Sequence, residues 1–129
     1  MYKKPKNDNK YAWTNHVVGK MAYYKISESL VKRVVRFPNR IEKGIAPETT
    51  VCMQSAGSKK HPSEIWVMLQ ELDSGGQRLY SENQKPKTKN YKLETNRKKI
   101  ISAWRYPGIS KVGEPIPIPE DILDELTAL

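Results

Sequence analysis

The sequence predicts an α+β fold: two N-terminal helices packed on a mainly antiparallel sheet of three to four strands, followed by a helical tail at the C-terminus. Three observations predict it. Two capped stretches with helical spacing of apolar residues precede Pro38. Beyond Pro38 the apolar period falls to two. Near the end, alternating prolines give way to a short acidic and apolar run.

Residues 1–10 are polar, basic and Asn-rich, and read as a flexible basic arm. Thr14 caps a first helix whose apolar face is Val17, Val18, Met21 and Ala22, with Gly19 weakening it by roughly 1 kcal/mol relative to Ala. Ser27 caps a second helix that carries Leu30, Val31, Val34 and Val35 on one side and Lys32, Arg33 and Arg36 on the other. Pro38 ends it, because the residue before a proline avoids the helical region. Strands are expected over 40–45, 49–54, 64–72 and 98–106, with a turn at Ala46-Pro47 and a hairpin signal at Asp73-Ser74-Gly75-Gly76. The run 64–72 is the most apolar and therefore central, with Ile65, Val67 and Leu69 facing one way and Trp66 and Met68 the other. Residues 81–97 form a polar, Lys-rich excursion. Pro115, Pro117 and Pro119 enforce an extended segment, and Pro119 suits the start of a last helix with Glu120 and Asp121 in its favourable first turn. The domain proper is expected over 11–108, with 109–129 as a Pro-rich segment and an acidic helix whose apolar side is Ile122, Leu123 and Leu126.

The formal charge of +9 is unevenly spread. Five acids and no basic residue lie in 114–129, so all 23 Lys and Arg face only nine acids in 1–113, a formal +14 there. A field of that sign favours polyanions, most simply RNA or DNA, through phosphate contacts, and RNA or the ribosome is the partner expected. The basic residues cluster at 3–10, 32–36 and 85–99. The acidic tail either covers part of this surface or completes the core. The longest apolar run, Ile65 to Leu69, is too short to span a membrane, and no apolar segment follows the basic start, so a cytoplasmic protein is expected. Cys52 stands alone, which excludes an internal disulfide and a zinc site built on paired cysteines. His16 and His61 without a carboxylate cluster argue against a metal, and no cofactor motif is present.

Two stretches carry a resemblance. In the first, His16, Met21, Lys25-Ile26-Ser27, Val31 and Val34 lead to Pro38-Asn39-Arg40-Ile41-Glu42-Lys43-Gly44, a Pro-x-Arg-(Val/Ile)-x-x-Gly phrase. The second is the late strand Lys99-Ile100-Ile101-Ser102-Ala103-Trp104-Arg105. Together they resemble small prokaryotic domains grouped with the RelE/ParE-like toxins, nearest to BrnT-like proteins, over roughly residues 13–54 and 64–106. The chain departs from that pattern at Tyr24-Lys25, where Arg-Gly or His-Gly is usual, and at Trp104, where a second Arg is usual. The resemblance implies a RelE-like fold, metal-independent cleavage of RNA, and an acidic antitoxin-like partner.

Such cleavage needs an activated 2′-hydroxyl, neutralisation of phosphate charge and a protonated leaving oxygen. The candidate catalytic residues are His16, Arg40 and Arg105, and the candidate nucleic-acid contacts are Lys20, Lys99 and Tyr106. His16 and Lys20 lie one helical turn apart on one face, where the ammonium favours a neutral imidazole able to act as base. His16 alternatively packs or caps. Arg40 either clamps phosphate or pairs with Glu42 or the tail acids. Arg105 is expected to share a strand face with Lys99, Ile101 and Ala103. Tyr106 either stacks on a base or closes the core. A non-catalytic nucleic-acid- or protein-binding module on the same fold is the competing expectation.

Overall fold

A computed structural model describes residues 5–44, 48–72 and 97–127. The expected turn at 46–47, the hairpin signal at 73–76 and all but the last residue of the 81–97 excursion lie outside the described residues. The elements in chain order are β1 (Tyr11–Trp13), α1 (Asn15–Tyr24), α2 (Glu28–Arg36), β2 (Arg40–Lys43), β3 (Thr50–Gly57), β4 (Pro62–Leu72), β5 (Arg97–Pro107) and α3 (Glu120–Thr127). The fold is α+β, with a mixed five-stranded sheet in the order β1-β5-β4-β3-β2 and three helices. β1 pairs parallel to β5 and the other neighbours are antiparallel.

The strand count is one correction to the sequence reading: β1 precedes the helices and was not expected. Three residues are too few for an alternation signal, and the pairing is non-local, Tyr11 opposite Lys98 and Trp13 opposite Ile100. The segment before it is held as well. Asp8 Oδ1 accepts from the backbone N–H groups of Lys10 and Tyr11, Asn7 Oδ1 accepts from that of Trp13, and Arg97 Nε donates to the Asp8 carbonyl. The described part of the expected arm is therefore bound to the sheet.

Both helix starts are capped as their sequences demand. Thr14 accepts from Val17 N–H and Ser27 from Leu30 N–H. α1 closes through Lys25 in the left-handed region (φ 59°, ψ 50°), and Ile26 N–H reaches back to the Met21 carbonyl at 2.8 Å. Ile26 is fully buried beneath that closure.

Two apolar clusters sandwich the sheet. On the helix side, Val17 and Met21 of α1 and Val31 and Val34 of α2 pack with Tyr11, Trp13, Cys52, Ile65, Val67, Leu69, Ile100 and Ala103. On the other side lie Val51, Met53, Trp66, Met68, Trp104 and Ile122, flanked by Ile116 and Ile118. The alternation of β4 is thus the expected one, and β4 is the central strand. The second cluster is closed by the C-terminal segment: Ile122 is fully buried, and Trp104 Nε1 donates to the Pro117 carbonyl at 2.9 Å. Of the tail's expected apolar side, Ile122 packs inward while Leu123 is exposed; the Leu126 side chain lies outside the described part.

α1 runs along the outer edge of β5 where β1 stops. Thr14 N–H donates to the Ile100 carbonyl, Thr14 Oγ1 to that of Ile101, and His16 Nε2 bonds Ser102 Oγ. The Thr14 backbone N–H and hydroxyl thereby satisfy two β5 carbonyls that would otherwise lie on a bare sheet edge. No helix among the described residues is long and apolar enough to cross a membrane.

Candidate functional site

The expected catalytic residues do not converge. His16 lies at the β5 edge, where Nε2 and the buried Ser102 hydroxyl share a 2.9 Å hydrogen bond. Arg40 lies on β2, three strands away in the sheet order, or roughly 14 Å at the usual strand spacing. Arg105 sits near the opposite end of α1 from His16, about 12 Å along the helix axis, where Nε donates to the Tyr24 carbonyl and Nη2 to the Lys25 carbonyl, both at 3.4 Å. Proton transfer and charge neutralisation at one phosphate require contacts of about 3 Å, so these three groups serve no common reaction centre.

Arg40 and Arg105 also face opposite ways. Arg40, Met53, Trp66 and Trp104 form one register row across the sheet, on the side of the second cluster. The Arg40 guanidinium lies 5.3 Å from the Trp66 ring centroid, pairs with Glu42, donates to Ser110 Oγ at 2.8 Å and reaches the Lys111 carbonyl. Ser110 then donates its hydroxyl to Glu64 Oε1 at 2.7 Å and its N–H to Oε2, while Trp66 Nε1 donates to Oε1. Glu64 is 2% exposed, so this buried carboxylate is satisfied from three directions. Arg40 is thus the clamp that fastens the Ser110 loop over the stacked Trp66 and Trp104, whose centroids are 6.2 Å apart. The pairing with Glu42, one of the two expectations for Arg40, is the observed one. Glu64 was missed, because a single acid in an apolar strand gives no sign of the loop that satisfies it.

The expected common face for Lys99, Ile101, Ala103 and Arg105 is corrected by a β-bulge. Met68 pairs with Ser102 but Leu69 pairs with Ile100, leaving Ile101 as an extra residue. The bulge reverses the alternation. Lys99 and Ile101 belong to the side of the second cluster, and Ala103 and Arg105 to the helix side. Tyr106 packs half-buried against the second cluster, opposite Glu64 in register, which is a core role.

His16 and Lys20 do share one face of α1, continued by Tyr24, as their spacing requires. That face meets α3 as well as β5. Lys20 Nζ bonds Asp121 Oδ2 at 2.8 Å and the Tyr24 hydroxyl donates to Asp121 Oδ1 at 3.0 Å. Burial raises the Asp121 carboxyl, but the Lys20 and Tyr24 hydrogen bonds outweigh it and hold the group below its ordinary range. Burial and the same carboxylate push the Tyr24 hydroxyl up. The tail therefore both completes the core and neutralises Lys20, the two roles open for it in the sequence. Cys52 is buried, and desolvation pushes its thiol up to about 11, which makes it inert.

A different cationic surface emerges on the helix side. Arg105, Ile65 and Gln54 share a register row, and Arg33 of α2 donates to Gln54 Oε1 at 3.2 Å. Two guanidinium groups thus stand over β3 and β5, with β4 between them, each held by neutral acceptors. Lys25 lies beside Arg105, Arg36 is one turn beyond Arg33, and the β3–β4 turn with Lys59 and Lys60 lies a few residues further along the same strands. Among the described residues no carboxylate pairs with any of these six, whereas Lys20, Lys32, Arg40 and Lys98 are paired. Two exposed aromatics lie on the helices of this side: Phe37, 68% exposed, whose carbonyl accepts from Gln54, and Tyr23, 72% exposed, whose ring meets Tyr24 edge to face and the Lys20 ammonium. Lys99 and Lys111 lie elsewhere. No group of His, Cys, Asp and Glu able to hold a metal ion occurs among the described residues.

No family model matches this chain, and no curated protein or solved structure is significantly similar to it.

Proposed function

We propose that this protein is a non-catalytic RNA-binding module that holds single-stranded RNA on its helix side. The observation that carries the reading is the pair Arg33 and Arg105, held over β3 and β5 on either side of β4 by neutral acceptors, with no carboxylate paired to either among the described residues. Guanidinium groups fixed in this way contact phosphates without first breaking an ion pair, and Lys25, Arg36, Lys59 and Lys60 extend the surface. Exposed Tyr23 and Phe37 offer stacking faces that tolerate any base, which favours single strands over duplex. The resemblance to RelE/ParE-like toxins supports an RNA-directed role and a two-helix layer over the sheet. The separation of His16, Arg40 and Arg105 argues against carrying the toxins' cleavage chemistry over with it.

Fluorescence anisotropy with a labelled single-stranded RNA tests this. Binding is expected at about 50 mM salt, weakening steeply by about 200 mM. Arg33→Ala and Arg105→Gln should each weaken it and lower the salt slope by about one. His16→Ala should leave affinity unchanged, and the RNA should stay intact with or without chelator. Absence of binding at the lower salt, or indifference to both arginine variants, overturns the proposal. RNA cleavage abolished by His16→Ala would restore the toxin-like ribonuclease reading.

A further inference from the structure

β2 is the outermost strand on the side away from β1, and among the described residues none pairs with its outer edge. The Gly44 N–H donates to the Thr49 carbonyl at 2.9 Å, continuing the ladder that sets Arg40 opposite Met53 and Lys43 opposite Thr50. Antiparallel bonds alternate along a strand, so Arg40 and Glu42 bond inward and Ile41 directs its N–H and C=O away from β3. The Ile41 side chain is 63% exposed on the helix side, while Arg40 and Glu42 project to the other side and pair there.

Run antiparallel against itself, Arg40-Ile41-Glu42 is its own complement. We propose that this edge joins the same edge of a second copy about a two-fold axis at Ile41, making one continuous sheet from two five-stranded ones. Ile41 then meets Ile41 of the partner subunit as a hydrogen-bonded pair with reciprocal N–H to C=O bonds. Arg40 stands opposite Glu42 of the partner subunit, and Glu42 opposite Arg40 of the partner subunit. Charge fixes the register. An axis at Arg40 sets two guanidinium groups face to face, and an axis at Glu42 sets two carboxylates face to face. Either shift also brings inward-bonded residues to the axis, where they have no backbone groups to offer. Equivalent residues occupy the same face in this pairing, so both helix sides lie on one side of the joined sheet. The inference stands independently of RNA binding.

Sedimentation velocity on the full chain without nucleic acid, over a concentration series up to about 1 mM, is the test. The expected result is a concentration-dependent shift from the 14.9 kDa monomer to twice that mass. Ile41→Lys places like charges at the axis and should weaken association by about tenfold or more. Ile41→Pro removes only an outward N–H, which the β2–β3 ladder does not use, and should weaken it too. Circular dichroism checks that both variants stay folded. Ile41→Cys in a Cys52→Ala background should form a disulfide-linked dimer on oxidation, since hydrogen-bonded antiparallel partners lie about 5.5 Å apart at Cα. A monomer at every concentration with no cross-link overturns the proposal, as does a dimer that Ile41→Lys leaves unchanged.

Discussion

Ile122→Ala is the sharpest test of how the C-terminal segment is seated. Ile122 is fully buried among Val51, Met53, Trp66, Met68 and Trp104, on a helix whose neighbouring Leu123 is 37% exposed. Truncating a buried Ile to Ala removes its transfer energy and leaves a cavity, about 2–5 kcal/mol in total. A helix near the chain end can partly release instead of holding that cavity open, so the expected loss is about 2–4 kcal/mol. At roughly 4 °C per kcal/mol for a chain of this size, the melting temperature should fall by about 8–16 °C. Leu123→Ala, the next residue and just over a quarter of a turn round the same helix, should cost within about 0.5 kcal/mol. Urea unfolding followed by tryptophan emission is the suitable assay, because Trp66 and Trp104 lie directly under Ile122. Equal losses for the two variants, or a loss below about 0.5 kcal/mol for Ile122→Ala, would refute the claim that α3 completes the core.

Three further outcomes follow from particular groups. Asp121 has a depressed folded pKa, so its contribution is complete above the unfolded value of about 3.9 and is lost as pH falls through the lower folded value. Asp121→Asn should therefore remove up to about 1 kcal/mol at neutral pH, limited by the 41% exposure of its side chain, and flatten the stability profile below about pH 4; a profile identical to wild type is the contrary result. Cys52, with its thiol raised to about 11, should resist labelling by a thiol reagent in native buffer and react in step with unfolding by urea, and prompt stoichiometric labelling would contradict its burial. Lys25→Gly should stabilise the chain by about 1 kcal/mol, because glycine removes the side-chain penalty of the left-handed closure of α1, yet weaken RNA binding by removing a cation. Stability and affinity moving in the same direction in that variant would break the separation drawn between the two roles of Lys25.

How much of the site was legible depends on the range of the interaction. The stripe His16, Lys20, Tyr24 was readable as one face, because helical spacing fixes it, but the partner of that face is Asp121, a hundred residues away. The face assignment of Arg105 failed at one residue: the bulge at Ile101 shifts the alternation, and no glycine or turn signal announces it. Arg33 and Arg36 were visible on the polar side of α2, whereas the neutral acceptors that leave the Arg33 and Arg105 charges available come from β3 and from the α1–α2 turn.

The sequence by itself determined the elements: Thr14 and Ser27 caps, the Pro38 stop, the two-faced central strand, the acidic last helix and the α+β class, all set by interactions between residues a few positions apart. The tertiary structure alone decided the parallel β1–β5 pair, the seating of Arg40 on Trp66 and Ser110, and which cations meet a carboxylate among the described residues. Those depend on which distant backbone and side-chain groups are brought within about 3 Å of one another, a distance that local propensity does not encode.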